Sequence, residues 1–150
     1  MIDSVAAEGK ATLYAYFSIA LTFPVIAWPF IYQLVFFSSR EDFYSSWIIV
    51  SGMALLIVIV IDSICSGPLS LRGTAVSLAW LFLLILFVTI SLSLWNSIYL
   101  IALIYFLHSL RSCLDLWCGR GGWWSWTAWS RDSITALILF LWQPFLILAE

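Results

Sequence analysis

Asp62, His108, Arg111 and Asp115 are the residues of this sequence best placed to do chemistry. Each lies within or at the edge of a long apolar stretch, where an ionised group is costly unless it is paired or wet. A carboxylate, an imidazole and a guanidinium within reach of one another can hold a proton, relay it, or neutralise one another. Counting helical rise from the outer end of each span, Asp62 lies about 24 Å down, His108 about 16 Å and Arg111 about 20 Å. An ion pair between Asp62 and Arg111 is expected on that arithmetic, with His108 one turn deeper. The alternative is that Asp62 caps its helix end, while His108, Arg111 and Asp115 form the wet face of a helix leaving the membrane. Asp115 follows Arg111 by four residues, the spacing of a helical ion pair.

A second group of residues concerns the backbone. Pro24 and Pro29 interrupt the first apolar stretch, and each removes a donor and displaces the carbonyl four residues earlier, here those of Ala20 and Val25. Tyr14, Ser18, Thr22 and Gln33 lie along one stripe of the same helix. A kinked helix with a polar stripe suits translocation of an ion or solute, with Thr22, Pro24, Pro29 and Gln33 as the residues concerned. It equally suits docking on a neighbouring helix through hydrogen bonds. The segment 117–133 is dense in indoles, Trp117, Trp123, Trp124, Trp126 and Trp129. It reads as an interfacial loop in the headgroups or as an aromatic platform for a lipid, a quinone or a partner helix. Part of it, from Trp126, can also extend the last span.

Other chemistry is sparse. Cys65, Cys113 and Cys118 form no CxxC motif, and a single histidine is too few for the two axial ligands of a haem held between helices. No phosphate-binding Gly-rich loop, GxSxG or HExxH appears. No catalytic residue, metal or cofactor is therefore expected.

These residues must be positioned by membrane-spanning helices. Hydrophobic residues make up 64% of the 150 and charged residues only 9%, with mean hydropathy +1.08. A soluble domain keeps about a quarter of its residues charged, so the outside of this chain must face lipid. The expected fold is a single all-α domain over residues 1–150, a polytopic bundle of five transmembrane helices at 13–37, 47–64, 75–95, 98–117 and 133–149. The division that needs an argument is the stretch 74–110, which is free of Asp, Glu, Lys and Arg over 37 residues. One helix of that length would be about 55 Å long, nearly twice the hydrocarbon thickness. Trp95-Asn96-Ser97 is its one polar break, so two spans are expected.

Basic residues then orient the bundle. With five spans, Lys10, Arg72, Arg111, Arg120 and Arg131 fall on the N-terminal side and Arg40 on the other. The positive-inside rule places the N-terminus in the cytoplasm and the C-terminus outside. The N-terminus carries Asp3 and Glu8 ahead of Lys10, unlike the basic start of a secretory signal, so the first span is expected to be retained. A net charge of −2 argues against nucleic acid as a partner. The expected partners are the bilayer and other membrane subunits or further copies of the chain. The expected location is a cell inner or cytoplasmic membrane, with an organelle membrane as the alternative. The role that asks least of these residues is a noncatalytic subunit, assembly factor or scaffold of a membrane complex. The alternatives are a small transporter or channel, and an intramembrane enzyme or quinone- or lipid-handling protein.

Overall fold

A computed structural model describes residues 2–35, 40–65, 71–95, 97–119 and 123–148. The side chains of 2–8, 10, 11, 33, 40, 41, 64, 65, 71–73, 94, 95, 123, 124 and 143–148 lie outside the description. The described residues hold six α-helices and no strand: α1 (Ile2–Ala20), α2 (Thr22–Val35), α3 (Arg40–Cys65), α4 (Leu71–Ile90), α5 (Ile98–Trp117) and α6 (Trp123–Leu148). Four stretches, Thr12–Tyr32, Asp42–Ser63, Thr74–Ser93 and Ile98–Trp117, are long and apolar enough to cross a membrane. They correspond to the first four expected spans.

The first span is broken where the prolines require it. Leu21 still donates its N–H to the Phe17 carbonyl, at 3.1 Å, but Pro24 has no N–H to offer the Ala20 carbonyl. The helix ends at Ala20 and restarts at Thr22, so Pro24 falls in the first turn of α2, where a missing donor costs nothing. Pro29 sits deeper in α2 and frees the Val25 carbonyl. The Trp47 indole Nε1 of α3 donates to that carbonyl at 2.9 Å, with both residues fully buried. Trp47 is thus a core residue that satisfies a backbone acceptor, whereas its sequence context suggests an interfacial indole.

Helices α2 and α3 run antiparallel. Trp28 Nε1 donates to Ser46 Oγ at 2.9 Å, and the Tyr32 and Phe43 rings meet edge to face, their centroids 5.2 Å apart. Helices α3 and α4 approach closely at Gly52, where an added Cβ would stand 2.8 Å from Val88 Cγ2. Lower on the same pair the hydroxyls of Ser63 and Ser77 are 2.6 Å apart. In lipid the hydrophobic effect does not drive helices together, so such close packing and interhelical hydrogen bonds hold the bundle.

The long charge-poor stretch is two helices, as its length demands. Helix α4 gives way to a π-helical turn at Ser91–Trp95, and α5 begins after Ser97. Ser97 is extended, and its hydroxyl accepts from the Tyr99 N–H at 3.3 Å, capping the new helix. Ser91 Oγ donates to the Ser97 carbonyl at 2.5 Å and ties the end of α4 to that cap. At the other end of α5, Gly119 takes a positive φ of 67°, and its N–H meets the Leu116 carbonyl at 3.0 Å. That left-handed residue stops the helix.

The last helix departs from the sequence expectation. It begins at Trp123, ten residues before 133, and 123–133 is helical rather than loop. Its buried positions are Ala128, Arg131, Asp132, Thr135, Ala136 and Leu139, a helical stripe facing α5. Among the described residues, α5 and α6 form the most extensive helix pair in the chain.

Candidate functional site

The buried side of α5 carries Ile101, Ala102, Ile104, Tyr105, His108, Ser109 and Ser112 at helical spacing. Small residues on both helices let the backbones approach. Ser109 and Ser133 hydroxyls meet across the pair at 2.6 Å, and Tyr105 reaches the Ser51 carbonyl of α3 at 3.0 Å. One turn past Tyr105 this packed face turns ionic.

His108 is fully buried and lies between two carboxylates. Its Nδ1 is 2.7 Å from Asp132 Oδ2 of α6. Its Nε2 faces Asp62 Oδ2 of α3 at 3.6 Å, beyond hydrogen-bond length. Arg131 closes the group: its Nε donates to Asp132 Oδ1 at 2.8 Å and its Nη2 to Asp132 Oδ2 at 3.0 Å. The same Nη2 stands 3.8 Å from Asp62 Oδ2. Asp132 is 0% exposed, and Asp62 and Arg131 are 5% exposed each. The Trp80 ring of α4 meets the imidazole edge-on, with centroids 5.1 Å apart. Four helices therefore converge on one imidazole.

Charge arithmetic gives the cluster its chemical character. Asp62, Asp132 and Arg131 taken alone, with both carboxylates ionised, sum to −1 beside the imidazole. Burial in a medium of low dielectric makes any unbalanced charge in the group costly. A single added proton would change that sum by one unit, whichever of these groups carried it. His108 Nε2 and Arg131 Nη1 are both buried and find no hydrogen-bond partner among the described residues.

Asp62, His108 and Asp132 each offer a ligand atom within 4.8 Å of the others, a separation compatible with a metal ion. Both Asp132 oxygens are already engaged, by Arg131 and by His108 Nδ1. The guanidinium supplies the positive charge that a metal would bring. A proton fits this donor set better than a divalent cation.

The expected residues are distributed unevenly over this site. Asp62 and His108 belong to it. Arg131, not the expected Arg111, supplies the guanidinium nitrogen placed 3.8 Å from Asp62 Oδ2. Arg111 and Asp115 are half-buried further along α5. Thr22 and Pro24 mark the break between α1 and α2, and Thr22 Oγ1 donates to the Ile19 carbonyl at 2.5 Å. Pro29 is buried, while the Gln33 side chain lies outside the described residues. Trp117 ends α5 and is 85% exposed. Trp126 and Trp129 pack edge to face along α6, with centroids 5.6 Å apart, so these indoles decorate a helix rather than a loop. Of Trp123 and Trp124 only the helical backbone is described.

Family models, curated proteins and solved structures give no match. The site therefore has to be interpreted from its own geometry.

Arg131 and Asp132 are the site residues that sequence reasoning misses. Both precede the apolar run beginning at 133 and read as interfacial loop. A signal is nevertheless present. Ala128, Arg131, Asp132, Thr135, Ala136 and Leu139 follow helical spacing, which places the charges on the packed face once the helix is extended upstream.

Proposed function

We propose that this chain is a small multi-pass membrane protein that takes up and releases a proton at Asp62, His108, Arg131 and Asp132, acting as a proton-linked transporter or channel. The observation that carries this reading is the buried imidazole of His108 held between two carboxylates, with the Arg131 guanidinium beside them. Ionisable groups inside a membrane bundle are costly to keep, and they mark ion pathways and proton relays by default. Histidine is the side chain whose ordinary range lies nearest neutral pH. The charged groups around it are Asp62 from α3 and Arg131 and Asp132 from α6, with Tyr105 and Arg111 one turn away on its own helix. Helix α4 contributes the uncharged Trp80.

The fifth span at 133–149, the cytoplasmic N-terminus and the external C-terminus belong to the same proposal. They are supported by Lys10, Arg72, Arg111 and Arg120 on one side against Arg40 on the other, Arg131 being buried in the cluster. That asymmetry suits a cell inner membrane.

The test is proton flux in liposomes holding the purified chain and a pH-sensitive dye. Flux that Asp62→Asn and His108→Phe abolish is the expected result. Folded protein that passes no protons would refute the reading, as would flux indifferent to both substitutions.

A second reading is a subunit or assembly factor within a larger membrane complex. It is favoured by the sparse packing of the Thr74–Ser93 span, of which 11% is buried within the chain, against 56% of Asp42–Ser63. Solubilisation in mild detergent followed by mass spectrometry distinguishes the two, since this reading requires a stoichiometric protein partner.

A further inference from the structure

The two ring nitrogens of His108 meet different surroundings. Nδ1 is 2.7 Å from Asp132 Oδ2, whereas Nε2 faces Asp62 Oδ2 at 3.6 Å and, though buried, has no hydrogen-bond partner among the described residues. We propose that the two carboxylates have separate roles: Asp132 is a positioning residue that holds the ring through a fixed Nδ1–H, and the proton that comes and goes is carried by Nε2, opposite Asp62. The inference rests on the proton-exchange reading above and assigns that exchange to one atom.

Asp132 is committed on its other side. It accepts from Arg131 Nε at Oδ1 and from Nη2 at Oδ2. An ionised carboxylate has lone pairs and no hydrogen to give, so the short contact with Oδ2 requires a hydrogen on Nδ1. A neutral imidazole carries a single ring N–H, so Nε2 then presents a lone pair. Two lone-pair atoms set opposite one another repel. A hydrogen on Nε2 turns that contact into a charge-assisted one. Uptake is thus the addition of a proton from the aqueous phase to the Nε2 lone pair, with the Nδ1–H bond intact. Release breaks the same Nε2–H bond and leaves the electron pair on the nitrogen. A carboxylate on one nitrogen fixes the tautomer and leaves the other nitrogen to exchange.

The helices suit this division. Asp132 lies on α6, which forms with α5 the most extensive pair among the described residues, and the 2.6 Å contact of Ser109 with Ser133 ties the pair next to the ring. Asp62 lies on α3, which meets α5 less extensively. Its 3.6 Å gap to Nε2 has to narrow by about 0.5 Å to become a hydrogen bond. The carboxylate that must stay in place is on the closely paired helix, and the one that must approach is on the other.

His108 is the single histidine of the chain, so protein labelled with nitrogen-15 in the histidine ring gives the signals of this imidazole alone. Protonated and bare ring nitrogens resonate far apart, and couplings to the ring C–H hydrogens tell Nε2 from Nδ1. For the full chain in detergent micelles, the neutral ring is expected to carry its hydrogen on Nδ1 and to leave Nε2 bare. On acidification Nε2 should gain a hydrogen while Nδ1 keeps its own. Asp62→Asn should leave the Nδ1–H form in place. Asp132→Leu should reverse it, since Asp62 is then the carboxylate left facing the ring. A neutral ring with its hydrogen on Nε2 in the unmodified chain would overturn the proposal. So would reversal by Asp62→Asn, or an Nε2 that keeps one state over the whole pH range in which the chain stays folded. The unmodified chain and Asp62→Asn decide the matter even where Asp132→Leu fails to fold. Proton flux in liposomes with the opposite tautomer would keep the proton-exchange reading and remove this assignment. The expected tautomers without flux would do the reverse.

Discussion

The hydrogen bond between His108 and Asp132 joins α5 to α6, and a double-mutant cycle measures what it contributes. His108→Phe keeps a ring against Trp80 and removes both nitrogens. Asp132→Leu keeps the branching of the side chain and removes both oxygens. The single change at Asp132 strips Arg131 of two hydrogen bonds of 2.8 and 3.0 Å as well as freeing the imidazole. Breaking a buried charge pair from one side costs about 3–5 kcal/mol. The coupling between the two sites is smaller. Neutral interhelical bonds in membranes average about 0.6 kcal/mol, with a maximum near 1.7. The His108–Asp132 bond is short, at 2.7 Å, fully buried and carries an ionised acceptor, which places it at the upper end, about 1.5 kcal/mol. That is roughly a tenfold change in the folding equilibrium. Unfolding by dodecyl sulfate in mixed micelles, followed by tryptophan fluorescence, supplies the four stabilities. Additivity within about 0.3 kcal/mol would mean that the two side chains do not interact, and the proposed proton site would lose its central bond.

Three further outcomes follow from the packing. Trp47→Phe leaves the Val25 carbonyl without its indole donor and should destabilise by about 1–3 kcal/mol; in a Pro29→Ala background the backbone supplies a donor again, so the loss should shrink, and an undiminished loss in thermal unfolding would disprove the account of Pro29. Gly52→Val should separate α3 from α4, because its Cβ would meet Val88 Cγ2 at 2.8 Å, and should cost about 1–3 kcal/mol; Val88→Ala should recover part of that loss in the same assay. Replacing Ser109 alone by alanine should cost more than replacing Ser109 and Ser133 together, since an apolar pair leaves no buried hydroxyl without a partner; a double variant less stable than either single would contradict that.

The membrane character, the helical class and the first four spans are legible in the sequence because apolar run length is a strong signal. The turn after α4 is legible for the same reason, since one helix of that length cannot fit a bilayer. Asp62 and His108 stand out as polar residues where lipid forbids them, and the criterion that finds them is blind just outside an apolar run. Arg131 and Asp132 fall one step outside, so their burial depends on α6 starting at Trp123. Depth alone selects Arg111 as the partner of Asp62. Depth says nothing about azimuth, and the helices turn Arg131 toward Asp62 instead. Trp47 shows the same gap: an indole at the start of a span reads as interfacial until the carbonyl freed by Pro29 is seen beside it.

Arg131 and Asp132 are neighbours in sequence, which bears on how the last helix would enter a bilayer as the proposed fifth span. Two separate charges at the centre of a nascent span would add about 5–7 kcal/mol to its insertion, and less toward its end, where these two lie. Here the guanidinium folds back on the adjacent carboxylate, so the segment carries its counter-ion within itself and presents the insertion machinery with a dipole instead of two charges. Asp62 is different, because it is threaded in with α3 and meets His108 and Arg131 only after α5 and α6 have been synthesised. The electrostatic completion of the bundle thus waits for the last helix.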